Sequence, residues 1–159
     1  MQNFKLVSEF QTIHRRSFEL TDPDILKPVP GGVKVPLVEG EWLQLDTAYK
    51  ALRGTAEAAV PSFAYFAEQG RYETQAIGKG PLLFLGQYEA DTLIMDTAAE
   101  ATITAVGQPL IVNDVTIASL ARRGLTALPS SPGGTELVVG YVTRLPANNN
   151  GYLRFIKTL

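Results

Sequence analysis

From residue 33 to residue 157 the apolar residues recur in short runs, and glycine- or proline-bearing turns cut one run from the next. Runs of four to eight residues between such turns are the mark of strands, and many of them in succession indicate an all-β sandwich or barrel. Val33, Val35 and Leu37 alternate, and Pro36 within them predicts an edge or bulged strand. Glu39-Gly40 turns the chain into a second strand, Trp42-Leu43-Gln44-Leu45. Asp46 is placed to cap a short helix over 46–54 that Gly54 would stop. Residues 62–66 are aromatic and predict a strand, as do 71–77 after the turn at 68–70.

The second half of the chain carries the clearest core. Leu82, Leu83, Phe84 and Leu85 offer apolar side chains to both faces, so this strand is expected to be buried on both sides. Residues 88–95 continue after Gly86. Ala101, Ile103 and Ala105 alternate with threonine and suit a half-exposed strand. A turn at 107–109 leads to a strand over 110–112. Val115, Ile117, Leu120 and Ala121 fit one face of a short helix over 115–123, ended by Gly124. A hairpin closes the chain, with arms at 136–145 and 152–157. Its loop holds Asn150-Gly151, a pair favoured where φ must be positive. The fold expected is mainly β: a small antiparallel β-barrel-like domain.

Residues 1–30 differ from the body at 31–159. Phe4, Leu6 and Phe10 fit a period of two, Phe18 follows, and Pro23, Pro28 and Pro30 stiffen the connection to the body. This predicts an extended N-terminal arm, with Phe4, Leu6, Phe10 and Phe18 as the anchors that would dock on a partner. The alternative is that the segment wraps its own domain or adds an edge strand to it.

Composition narrows the function. At 159 residues the chain suits one domain, long enough to need no covalent staple. It has no cysteine, so disulfides and thiolate metal sites are excluded. The net charge of -2, with both signs interspersed, argues against nucleic acid or anionic lipid as the main partner. No apolar run approaches the roughly 20 residues of a membrane span. Lys5 and Glu9 interrupt any apolar signal-peptide core, so synthesis in the cytoplasm is expected.

Chemistry-bearing residues are sparse. His14 is the one histidine and is flanked by Arg15 and Arg16, a poor setting for a catalytic base and too few ligands for zinc. Asp22 and Asp24 flank Pro23 as turn formers. Glu89 and Asp91 share one strand face by parity, with Asp96 beyond the same run. Two carboxylates can hydrolyse a glycoside only when they face each other across a cleft. No calcium loop or phosphate-cradling glycine motif occurs. No catalytic, cofactor or metal residue is expected.

The runs GEWLQLD (40–46), GRYETQAIGKGPLLFLGQYEADTLIMD (70–96) and VVGYVTRLPANNNGYLRFIKTL (138–159) resemble the capsid cement, or decoration, proteins of tailed bacteriophages. The resemblance covers residues 38–159. Its closing pattern falls here on Gly140, Val142 and Pro146, then the 148–150 loop and the final strand at 152–156. It implies a structural virion protein on the capsid surface, made in the host cytoplasm. The major capsid protein would be its partner, and it would self-associate as a homotrimer or, failing that, a dimer. A phage tail or baseplate component is the nearest rival. A small β-barrel hydrolase using carboxylates and a carbohydrate-binding module with a row of exposed aromatics are rivals of other classes.

Overall fold

The turn at Ala118-Ser119 puts both residues at positive φ, 50° and 64°. That conformation matches the right-handed twist of two antiparallel strands and closes a two-residue hairpin. Strands β8 (Pro109–Ile117) and β9 (Leu120–Ala127) therefore pair residue for residue, from Leu110↔Ala127 to Ile117↔Leu120. The helix expected over 115–123 does not form. Val115 and Ile117 alternate as strand residues, and no glycine or asparagine advertises the turn between them and Leu120.

The computed structural model describes residues 2–21, 37–53, 61–66, 79–97, 103–130, 132 and 136–158. The remaining strands are β1 (Phe4–Glu9), β2 (His14–Glu19), β3 (Trp42–Leu45), β4 (Ala51–Leu52), β5 (Ser62–Ala64), β6 (Lys79–Leu85), β7 (Tyr88–Thr92), β10 (Gly140–Arg144) and β11 (Leu153–Lys157). They make a six-stranded sheet in the order β1-β7-β11-β10-β8-β9, a pair β2-β6, and a trio β4-β3-β5. Every strand pairing in these sheets is antiparallel.

No sheet closes into a barrel among the described residues, so the barrel-like expectation holds only at the level of a mainly β, antiparallel fold. Isolated bridges do link the two small sheets. Leu20 meets Ala51, joining the end of β2 to β4, and Tyr65 meets Leu82, joining the end of β5 to β6. The succession β2-β6-β5-β3-β4 thus runs around a cluster of Phe18, Leu20, Leu37, Leu43, Ala51, Tyr65 and Leu82.

A second, larger cluster includes Phe4, Trp42, Leu83, Tyr88, Leu110, Leu125, Val142 and Phe155. Neighbours Trp42 and Leu43 on β3 enter different clusters, as do Leu83 and Leu82 on β6. Adjacent strand residues point to opposite faces, so both strands are buried on both sides. The two-sided burial expected for residues 82–85 is met at Leu82 and Leu83.

Two other local expectations are overturned. Asp46 caps a turn and not a helix. Its Oδ1 accepts from the Ala48 and Lys50 amides at 2.8 and 2.9 Å, Tyr49 sits at φ 58°, and the chain returns as β4. Residues 103–105 are not a strand. The Thr104 and Ala105 amides donate to Gln108 Oε1, which folds the segment into the turn that starts β8. The strand expectations at 33–36 and 71–77 lie outside the described residues, as do the prolines of the arm and Gly54.

The closing hairpin forms as expected. β10 and β11 pair, with the 3-10 turn Pro146–Asn148 and then Asn150 and Gly151 at φ 53° and 86°. Gly140 is obligatory in this pairing. A Cβ there would lie 2.2 Å from the Ile156 carbonyl oxygen.

Candidate functional site

The four residues expected to anchor a partner are divided by the fold. β1 joins the edge of the six-stranded sheet and β2 pairs with β6, so residues 4–9 and 14–19 are strands of the body. Phe4 is fully buried in the larger cluster, edge-on to Phe66, Tyr88 and Phe155. Phe18 is buried in the smaller one. Leu6 packs half-buried against the larger cluster, and Phe10 alone of the four is exposed. The expectation that Phe4 and Phe18 dock on another molecule is corrected, because their apolar surface is already buried within this chain. The edge-strand alternative describes residues 4–9 and 14–19.

His14 is exposed at the start of β2. Among the described residues no group of three or more histidines and carboxylates could hold a metal ion.

The outer face of the six-stranded sheet gathers what polar chemistry there is. Pairing register aligns Lys5, Asp91, Arg154 and Arg144 in one row across β1, β7, β11 and β10. A second row runs Ser8, Glu89, Ile156, Tyr141 and Pro109, reaching β8. Residues directly opposite in register point to the same face. Two register shifts lie between these rows, one between Leu6 and Ser8 and one between Val142 and Arg144. They leave Val7 and Thr143 as the extra residues of β-bulges.

Asp91 is the centre of the first row. Arg154 donates to it twice, from Nε at 2.7 Å and Nη2 at 2.9 Å, and Asn149 Nδ2 donates at 2.8 Å. Burial alone would raise the Asp91 carboxyl. The hydrogen bonds from Arg154 and Asn149, with the charges of Arg154 and Lys5, outweigh it and hold the pKa below the usual carboxylate value. The Lys5 ammonium lies 4.2 Å from the Tyr152 ring centroid, and the Tyr152 hydroxyl donates to the Gln2 carbonyl at 2.7 Å. The N-terminal strand is thereby tied to the C-terminal hairpin. Glu89 accepts from the Thr143 hydroxyl at 2.8 Å.

Parity placed Glu89 and Asp91 on one face, and the structure agrees. They stand side by side on one strand, and Asp91 is kept ionised by a bidentate guanidinium. A general acid must keep its proton near neutral pH, which this carboxylate does not. Asp91 is also not a solvated surface carboxylate, being only 7% exposed.

A second polar group is wholly internal. Glu41, at 0% exposure, accepts from Arg53 Nε and from Arg122 Nη1, the latter at 3.0 Å. It links the trio of strands to β9. No sequence signal announces it, since Glu41 and Arg122 lie 81 residues apart along the chain.

Exposed aromatic surface on the outer face is one tyrosine, Tyr141, among the described residues. The row of aromatics that a carbohydrate-binding sheet would show is not present there. No family model, curated protein or solved structure matches this chain.

Proposed function

We propose that this chain is a capsid decoration protein of a tailed bacteriophage, binding the outside of the shell formed by the major capsid protein and stabilising the head. The observation that carries this reading is the closing hairpin, where the residues of the resemblance each have a structural task. Gly140 leaves room for the Ile156 carbonyl, Val142 is buried in the larger cluster, and Pro146 opens the loop turn. The antiparallel body is compatible with such a role, which needs a rigid scaffold and no catalytic group. Weak contacts repeated over a symmetric shell are multiplied by avidity. The role places the protein on the virion surface after synthesis in the host cytoplasm, with self-association as a homotrimer, or alternatively a dimer, around a shell axis.

The test is binding of the purified full-length chain to empty shells assembled from the major capsid protein of the same genome, with light scattering of the free chain alongside. Saturable binding and a raised thermal midpoint of the shell are expected. Binding to tail tubes in place of shells would move the chain to the tail or baseplate.

A further inference from the structure

We propose that the docking surface of this protein is the outer face of the six-stranded sheet, and that its partner is a protein surface with an apolar centre and carboxylates along one side. The inference rests on the decoration reading and relocates its contact from the N-terminal residues to the sheet.

The apolar centre is the Ile156–Tyr141–Pro109 stretch of the second row. Tyr141 is 43% exposed, with Ile156 and Pro109 half-buried beside it in register. Val106, 65% exposed, stands on the turn that leads into β8, whose Gly107 amide donates to the Val142 carbonyl and so holds the turn beside β10. Val7, 41% exposed, is the bulged residue opposite Glu89 at the other end. Tyr141 and Val7 on the sheet and Val106 on the turn beside it are three of the five exposed large apolar side chains among the described residues. Ile156, Tyr141 and Pro109 stand on three neighbouring strands about 4.8 Å apart, so the apolar stretch of the row is roughly 10 Å across. An apolar patch with an exposed tyrosine at its centre suits a protein surface.

Charge selects the partner. The first row holds three cations, Lys5, Arg154 and Arg144, and one carboxylate, Asp91. Asp91 is buried under its own donors, whereas Lys5 and Arg144 are exposed. Glu89 is half-buried and bound by Thr143. What an approaching molecule meets is therefore a positive margin beside an apolar strip, on a chain of net charge -2. The same face of a second copy would bring like charges together, with Glu89 as its one carboxylate outside the Asp91 cluster among the described residues of these rows. Nucleic acid calls for a broader basic surface than two exposed cations supply.

Full-length Tyr141→Ser and Arg144→Glu variants, each checked by a melting curve, are compared with the native chain for binding to empty shells of the same genome. Both side chains are exposed, so melting should be unchanged. Tyr141→Ser should weaken binding about ten-fold or more, as for a central aromatic anchor. Arg144→Glu should weaken it at low salt and flatten its salt dependence. Native-like binding by both variants, while the native chain binds, overturns this docking face and leaves the decoration reading standing. Failure of the native chain to bind shells removes both. Retention on single-stranded DNA that Tyr141→Ser abolishes would assign the face to nucleic acid and overturn the proposal. Loss of self-association in the variants, with shell binding intact, would overturn it in favour of a contact between copies.

Discussion

Lys157 brings an ammonium into the interior at 1% exposure. Its Nζ donates to the Gly86 carbonyl at 3.3 Å and lies 5.7 Å from the Tyr88 ring centroid. Neither contact restores full hydration, and burial pushes its pKa down to about 8. The folded chain therefore holds this proton less well than the unfolded chain. The resulting cost is fully present below pH about 8 and fades as pH rises toward about 10.4, so stability should increase across that window. Lys157→Met should remove the slope and stabilise the protein at neutral pH by about 1–3 kcal/mol, read from urea unfolding at several pH values. A flat native profile between those limits would refute it. Asp91 has the opposite sign. Its folded pKa is lowered, so its contribution is present above pH about 3.9 and is lost as pH falls through the folded value. Asp91→Asn should cost roughly 2 kcal/mol at neutral pH, because it removes charge-assisted hydrogen bonds from Arg154, and should flatten the acid limb of the unfolding curve. Parity made the Glu89–Asp91 face legible in the sequence. The Asp91 partners were not, since Arg154 and Asn149 lie 63 and 58 residues away along the chain.

At the scale of elements, β1 and β2 decide how the N-terminal segment behaves. Alternation marked it as extended, which is correct, but its partners β7 and β6 begin at Tyr88 and Lys79. A period of two says that a strand exists and not which edge it joins. With Phe4 fully buried among Phe66, Tyr88 and Phe155, Phe4→Ala should cost about 3–5 kcal/mol. Deleting residues 2–20 removes both strands and should leave a chain without a cooperative melt. A truncated chain that melts like the native one would restore the separate arm. The same logic explains the two helices that did not form. Polar residues and caps flank both segments, yet each is a turn between strands, and the deciding positive φ values fall on Tyr49, Ala118 and Ser119, residue types that do not announce them. The hairpin at 140–157 was legible because Asn150-Gly151 does announce its turn.

For the whole molecule, the question is whether two hydrophobic clusters mean two folding units. β3 and β6 contribute to both, through Trp42 and Leu43 and through Leu83 and Leu82. Neither cluster can open without exposing a strand that the other needs. Glu41, buried between Arg53 and Arg122, adds a tie from the trio of strands to β9. Separating those groups would strand a charge in the interior, which is far more costly than the pair is stabilising. The chain should therefore unfold as one unit. Trp42 is the single tryptophan and is fully buried in the larger cluster, so its fluorescence reports that cluster alone, while far-UV circular dichroism reports every strand. The two melting curves should coincide. Phe18→Ala, which truncates a side chain of the smaller cluster, should shift both to lower temperature by the same amount. If the dichroism moves and the Trp42 transition stays where it was, the clusters melt independently and the shared strands do not couple them.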